Sequence, residues 1–279
     1  MDHSYVGKSI ANSKFEYTWK DLSLYALGIG AKRDELDYLY EGRGPFVYPS
    51  FAVVPKFAPM LELLSAAQID LAMIVHGGER FEIHRPLAPK GILSTKATLR
   101  GIYDMRRFAT VIIDTETNDE EGQLIATTTS NIIVRDAGGF GGEPTPREEV
   151  PSTPKDRPAD FRVEETTTPE QALLYRLSGD FNPLHADPDF AKKVGFPDGP
   201  ILHGLCTYGF AVRHLTKGLL DGAANRIKMF EGQFRRPVAP GETLVTEGWK
   251  LEDDRVVFNT SVKERNEVVL GKAWARITP

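Results

Sequence analysis

The feature that most constrains the fold of this chain is an internal repeat. Residues 85–91 (RPLAPKG) recur 151 positions later as residues 236–241 (RPVAPG), with one residue lost at the end. A repeat of this kind indicates that the chain forms the same structural unit twice. Between the copies, residues 138–158 contain four Gly and five Pro, a composition typical of a stiff linker. We therefore predict two units, residues 1–137 and 161–279, joined by a linker over 138–160.

The sequence around each copy follows the same order. Residues 59–75 and 200–215 are apolar around most of a helical circumference, which predicts a buried helix before each copy. After the copies, Val-, Ile- and Thr-rich segments predict strands over 93–100, 110–117 and 124–134, and over 243–251, 256–262 and 268–277. We predict an α+β fold in which an antiparallel sheet wraps around a central helix in each half, with the two sheets side by side.

The candidate catalytic residues lie between two short predicted helices, over 168–178 and 187–195. The connecting turn reads Asp-Phe-Asn-Pro-Leu-His and carries Asp180, Asn182 and His185. A carboxylate and an imidazole that flank one water molecule can take a proton from it and return a proton to carbon. This is the acid/base chemistry needed to add water to a polarised double bond, and Asn182 could hold the water or orient a partner.

A second candidate element is Gly204, near the start of the second predicted buried helix. A glycine there would let a substrate carbonyl approach a backbone N–H at the positive end of the helix, which predicts an oxyanion site. Structural interpretations compete with these functional ones. Asp180 could cap the turn, Gly204 could permit close packing, and a single histidine is usually structural, which is the interpretation we favour for His203.

Composition argues against several classes of function. The net charge is −5, which disfavours nucleic-acid binding, and no apolar run approaches the roughly 18 residues of a membrane span. The chain has one cysteine, Cys206, so an intramolecular disulfide is excluded and a reducing compartment is favoured. We find no zinc, P-loop or nucleophilic-serine motif, and we expect neither a metal nor a separate cofactor.

The ends of the sequence bear on localisation. No basic-then-apolar leader follows Met1, and the last four residues, RITP, do not match a peroxisomal Ser-Lys-Leu-type signal. We therefore expect a cytoplasmic protein, with the peroxisome as the alternative if the source is a eukaryote.

The turn and its surroundings resemble a known family. Residues 175–188 (YRLSGDFNPLHADP) are similar to the hydratase 2 motif of (R)-specific enoyl-CoA hydratases, within the MaoC-like group, and residues 76–81, 135–142 and 200–207 resemble other blocks of that family. The resemblance implies a double hot-dog fold, a homodimer and a (3R)-specific 2-enoyl-CoA hydratase of fatty-acid metabolism. It implies reversible syn addition of water to trans-2-enoyl-CoA, with coenzyme A (CoA) as part of the substrate.

The resemblance also implies roles for individual residues. Asp180 and His185 would be catalytic with Asn182 in support, and Gly204, Phe234 and the pair His76-Gly77 would contact the thioester or CoA. Family members carry a Lys in the segment matching residues 103–108, where this chain has Met105 followed by two arginines. We expect Arg106 and Arg107 to contact phosphate in its place. Basic residues near Phe234 are further candidates for the CoA phosphates, with a solvated strand edge as the alternative: Arg226, Lys228, Arg235 and Arg236.

The repeat indicates how many active sites to expect. Shifting the second half back by 150 positions aligns Tyr25 with Tyr175, but it aligns Gly30 with Asp180 and Glu35 with His185. The first half thus lacks the acid/base pair. We predict one active site per chain, in the second half, and the resemblance implies that the first half accommodates a long acyl chain.

Because one fold can host several chemistries, alternatives stay open: a related dehydratase, an acyl-CoA thioesterase, or a non-catalytic acyl-CoA-binding protein.

Overall fold

The two halves of the chain form one continuous antiparallel sheet. The structure, a computed structural model, describes residues 1–147 and 149–279, with the backbone alone at residues 11 and 12. The first half contains β1 (Ser9–Tyr17), α1 (Trp19–Gly28), α2 (Leu36–Leu39), α3 (Phe57–Ala66), β2 (Ile74–Ile83), β3 (Gly91–Asp104), β4 (Phe108–Asn118) and β5 (Leu124–Arg135). The second contains β6 (Phe161–Thr166), α4 (Gln171–Tyr175), α5 (Pro188–Lys193), α6 (Gly204–Leu219), β7 (Ile227–Phe234), β8 (Thr243–Lys250), β9 (Arg255–Val262) and β10 (Glu267–Ile277).

The strand order repeats from one half to the other. The ten-stranded sheet runs β1-β3-β4-β5-β2-β7-β10-β9-β8-β6, so the order read outward from the centre is the same on both sides. The halves meet where β2 pairs with β7, from Gly78 opposite Gln233 to Glu82 opposite Met229. The two copies of the repeat occupy equivalent places, directly after β2 and directly after β7. The prediction of two sheets side by side is confirmed.

The helix before β7 matches its prediction more closely than the helix before β2. Helix α6 has sixteen residues, is buried from Leu205 to Thr216, and packs against β6, β7 and β8. It begins at Gly204 rather than at residue 200, and it ends at Leu219. Its burial on all sides agrees with the apolar composition of the segment.

The predicted helix over 59–75 is wrong in its second half. Helix α3 has ten residues and ends at Ala66, because Gln68 takes a left-handed φ of 54° that a helix cannot continue. The chain then enters β2 at Ile74. The helix is also not buried on all sides, since Leu61 is 36% exposed while Leu63 and Leu64 are fully buried.

The helix predicted over 168–178 is shorter than expected. Helix α4 begins at Gln171 and gives way to a 3-10 turn over Arg176–Ser178. The Gln171 side-chain amide donates to the Gly28 carbonyl at 2.7 Å, so the helix start is fastened to the end of α1. Two helices from different halves therefore support the segment that leads into the candidate site.

No helix among the described residues is both long and apolar enough to cross a membrane.

Candidate active site

The turn from Asp180 to His185 is held by its own backbone. Gly179 has a φ of 121°, which ends the preceding 3-10 turn and redirects the chain. Asn182 caps a second 3-10 turn over Pro183–His185, its side-chain oxygen accepting from the Leu184 N–H at 3.0 Å. A carboxylate oxygen of Asp180 accepts from the Asn182 N–H at 3.2 Å. The side chains of Asp180 and His185 thereby face each other, with potential ligand atoms within 4.8 Å.

The hydrogen bonds of His185 define its tautomer. Its Nδ1 lies 2.8 Å from the Ile201 carbonyl oxygen, which can only accept, so Nδ1 carries the proton and Nε2 is left as an acceptor. Burial lowers the pKa of His185 below its ordinary value of 6.5, although Asp180 and the bond to Ile201 act in the opposite direction. At neutral pH the ring is therefore neutral and able to take a proton at Nε2.

Gly204 lies at the N-terminus of α6, where a helix leaves backbone N–H groups without intrahelical acceptors. A Cβ at this position would lie 3.2 Å from the Phe234 ring, so a larger residue here would force that ring to shift by a few tenths of an ångström. Phe234 in turn contacts His76 edge to face, with ring centroids 5.0 Å apart. The structure thus brings together the three predicted contact positions Gly204, Phe234 and His76, and Gly77 forms a bulge in β2 directly after His76.

A buried ionic network that sequence reasoning missed lies behind His76. Lys56 and Glu79 form an ion pair with both side chains fully buried, and the Ser130 hydroxyl lies 2.6 Å from the Lys56 ammonium. His76 Nε2 is 2.9 Å from the Glu79 carboxylate. Burial by itself raises the pKa of Glu79, but Lys56 and His76 outweigh it and hold that pKa below its usual value.

The same network reaches the candidate catalytic turn. Burial lowers the pKa of Lys56, and electrostatic attraction to Glu79 and to Asp180 partly compensates. A buried cation therefore lies within electrostatic range of the Asp180 carboxylate. The signal in the sequence was a single Lys within the apolar run FAVVPKFAPM, residues 51–60.

The remaining predicted residues are exposed. Asn182 is exposed and uses its side-chain oxygen as a helix cap, so its role toward a water stays a prediction. Arg106 and Arg107 lie in the turn between β3 and β4, near the sheet end where β2 begins. Arg235 lines an open groove of roughly 590 Å³ together with Lys272, and its contact with CoA also stays a prediction.

The predicted basic cluster around Phe234 is only partly correct. Lys228 is six residues from Phe234 along β7, about 20 Å away in an extended strand. Arg226 donates to the Thr278 carbonyl at 2.9 Å, beyond the same far end of the strand. Only Arg235 and Arg236 remain close to Phe234, because strand geometry carries the other two away.

Glu35, which the repeat aligns with His185, has a structural place. It forms a bidentate ion pair with the fully buried Arg213 of α6, at 2.6 and 2.7 Å, and Glu165 binds the same guanidinium at 2.7 Å. The first half thus uses this position to fasten its loop to the central helix of the second half.

Asp180, His185 and His203 are the one group within the described part of the chain that could hold a metal ion. The two imidazoles are stacked, with centroids 3.6 Å apart, and each uses one nitrogen on a backbone carbonyl. Stacked rings direct their in-plane lone pairs along nearly parallel planes, which is poor geometry for a shared ion. The expectation that no metal is needed stays a prediction.

Comparison with known proteins identifies the family. Residues 151–273 match the family model described as MaoC like domain, and residues 15–136 match the MFE-2 hydratase 2 N-terminal domain. The chain is 39% identical to enoyl-CoA hydratase 2, peroxisomal, of Arabidopsis thaliana, over 95% of this chain and 92% of that protein. It is 36% identical to the mouse peroxisomal multifunctional enzyme type 2, of which it spans 38%.

Solved structures agree with this result. A MaoC-like dehydratase from Phytophthora capsici superposes with a TM-score of 0.88 at 34% identity, covering 100% of this chain and 98% of that one. A Mycobacterium tuberculosis protein described as having a double hotdog fold superposes with a TM-score of 0.60 at 16% identity, over 97% of this chain and 94% of that one, which supports the fold alone.

The duplicated sheet, the buried helix α6 and the Asp180–His185 turn define a MaoC-like protein with a double hot-dog fold, as predicted. Within that class, the chain belongs to the enoyl-CoA hydratase 2 family.

Proposed function

We propose that this protein is a (3R)-specific 2-enoyl-CoA hydratase, a hydro-lyase that adds water reversibly to trans-2-enoyl-CoA in fatty-acid metabolism. The observation that carries the proposal is the juxtaposition of the His185 imidazole, with Nε2 free to accept, and the Asp180 carboxylate. Both groups can accept a hydrogen bond from one water molecule. The family relationship supports the same reaction.

The proposed reaction proceeds on one face of the double bond. The water oxygen bonds to C3, and the pair formed by Asp180 and His185 takes one of its protons. The C2–C3 π electrons move onto the thioester, where the backbone N–H of Gly204 stabilises the enolate oxygen at the positive end of α6. The pair then returns the proton to C2, so the atoms of one water molecule are added and the enzyme is unchanged. Dehydration is the same path in reverse.

The substrate is proposed to lie along the line from Gly204 past Phe234 toward His76. The thioester would lie at Gly204, and the CoA phosphates would meet Arg235 in its groove, with Arg106 and Arg107 as further contacts. The helix before the central strand has ten residues in the first half (α3) and sixteen residues in the second half (α6). This difference supports the proposal that the first half has room for the acyl chain.

The test is an assay of purified protein with crotonyl-CoA. Hydration removes the enoyl absorbance without releasing free thiol, thioester hydrolysis releases thiol, and a binding protein does neither. Chiral analysis of the product on short and long enoyl-CoAs tests the stereochemistry and the chain length. These readouts distinguish hydratase from thioesterase and from a non-catalytic binder.

Asp180→Asn is the decisive variant. We expect a loss of kcat of at least about 10²-fold with little change in thermal stability, because positioned acid/base groups contribute about 10²–10⁴-fold. Asp198→Asn is the matched control, since Asp198 is also acidic, lies on an exposed loop and should not affect turnover. Near-normal kcat in Asp180→Asn would rule out the acid/base role.

Assembly, cofactor use and localisation are further parts of the proposal. A homodimer is proposed from the family relationship, and light scattering coupled to size-exclusion chromatography tests it. No cofactor beyond the CoA of the substrate is proposed, so dialysis against EDTA should leave turnover unchanged.

The relatives from Arabidopsis thaliana and mouse carry peroxisomal names, which supports the peroxisomal alternative to the cytoplasm in a eukaryotic cell. Imaging of the tagged protein distinguishes the two.

A further inference from the structure

The four residues before and at the start of α6 contact each part of the proposed machinery. The Ile201 carbonyl accepts from His185 Nδ1 at 2.8 Å, and His203 Nε2 lies 3.1 Å from the backbone carbonyl oxygen of Asp180. Gly204, next in sequence, carries the proposed oxyanion N–H. The Leu202 N–H donates to the Val238 carbonyl at 2.7 Å, which anchors the segment to the loop after β7.

His203 has a placement that fold stability alone does not explain. It is 1% exposed, and its ring stacks on that of His185 with centroids 3.6 Å apart and planes inclined by 27°. Because a carbonyl oxygen can only accept, Nε2 must carry the proton and Nδ1 is an acceptor. Among the described residues no hydrogen-bond partner lies near this buried Nδ1. A buried polar atom without a partner is unfavourable, and an apolar side chain would fill the space without it.

We propose that His203 is a positioning residue for the reaction: its Nε2–H holds the main chain of Asp180 so that the carboxylate faces the same water as His185. This inference rests on the proposed roles of Asp180 and His185. The stacked ring also limits the tilt of the His185 imidazole, while the bond to Ile201 fixes its rotation. This proposal differs from the structural interpretation of His203 that the sequence favoured.

His203 does not take part in the proton transfer itself. Burial, and next the neighbouring His185, hold the pKa of His203 well below its ordinary value. The ring therefore stays neutral, with one fixed tautomer, while the catalytic pair exchanges its proton.

Two variants separate the hydrogen bond from the ring. His203→Phe keeps an aromatic ring against His185 and removes the donor, whereas His203→Gln keeps an N–H donor near Nε2 and removes the ring. We expect His203→Phe to lower kcat by about 10²-fold with KM within about threefold, since misplacement of a reacting group by about 1 Å costs about that much. His203→Gln should recover at least about tenfold of that loss. His84→Phe, at an exposed first-half histidine bonded to Thr127, is the matched control and should leave kcat unchanged.

Wild-type kcat in folded His203→Phe, or a His203→Gln variant no better than His203→Phe, would overturn the proposal. Should either variant unfold, the wild-type protein decides. Histidine-selective ¹⁵N NMR should show His203 as the neutral Nε2–H tautomer from pH 6 to 9, and an Nδ1–H tautomer or an imidazolium would contradict the inference. An active Asp180→Asn variant would refute the proposed function itself, whereas an inactive Asp180→Asn with an active His203→Phe would refute only the role of His203.

Discussion

The buried ion pair between Lys56 and Glu79 makes a sharp prediction about stability. Lys56→Met removes the ammonium and keeps a side chain of similar length. The Glu79 carboxylate would then stay buried, with Ser130 at 3.0 Å and His76 at 2.9 Å as its remaining partners. One carboxylate oxygen of Glu79 already has no hydrogen-bond partner among the described residues. The variant would therefore leave a buried charge without its counterion.

The size of the effect follows from the burial of both partners. Breaking a fully buried pair by removing one member costs about 3–5 kcal/mol. For a chain of this length each kcal/mol shifts Tm by about 2–4 °C, so we expect Tm to fall by about 6–20 °C. Lys56→Met/Glu79→Gln, which removes both charges, should regain most of the loss. Lys96→Met is the control, because the Lys96–Glu116 pair is about half exposed and should cost less than about 1 kcal/mol.

The pKa of Glu79 determines how the stability of the wild-type protein and of Lys56→Met should depend on pH. In the wild-type protein the pKa of Glu79 is lowered, so its contribution to stability is present above the unfolded pKa of about 4.3 and is lost as pH falls through the folded pKa. In Lys56→Met burial dominates and raises the pKa of Glu79, so the variant should be less destabilised at pH 5 than at pH 8. Thermal unfolding followed by circular dichroism measures the Tm of the wild-type protein and of the variant at both pH values. A Tm within 3 °C of wild type, or a double variant no more stable than the single one, would refute the reasoning.

Three further predictions concern the site. The value of kcat/KM should fall as pH drops through the folded pKa of His185, because the proton acceptor must be neutral. Burial lowers that pKa, so the midpoint of the pH profile should lie below 6.5. A midpoint above 6.5 would contradict the role of His185 as proton acceptor. Gly204→Ala places a methyl group 3.2 Å from the Phe234 ring and should lower kcat by about tenfold or more. Steady-state kinetics on crotonyl-CoA measures this loss. The comparison is the double variant Phe234→Leu/Gly204→Ala, in which the smaller side chain relieves the clash. Arg235→Ala should raise KM at unchanged kcat, and the rise in KM should be larger at low salt than at high salt. The control Arg85→Ala, at an exposed arginine, should change neither KM nor kcat. An unchanged KM in Arg235→Ala would remove Arg235 from the proposed CoA contacts.

Local patterns predicted the three strands that follow each copy of the repeat well. Strand β4 was expected over 110–117 and is found at Phe108–Asn118, and β9 was expected over 256–262 and is found at Arg255–Val262. The central strands β2 and β7 were not predicted. Their segments contain glycines and charged residues, and their strand conformation depends on pairing with each other across the middle of the sheet. The same non-local pairing explains the wrong helix over 67–75, whose apolar residues suit a helix equally well on local criteria.

The sequence by itself determined the duplication of the chain and the turn that carries Asp180 and His185. The turn is local, because six residues with their own caps, one of them a proline, define its shape. The tertiary structure alone decided what surrounds that turn. His203 reaches Asp180 across 23 residues, Ile201 reaches His185 across 16, and Lys56 reaches Ser130 across 74. Contacts over such distances in sequence form only when the sheet and α6 are packed, since only that packing removes water from the charges and rings involved.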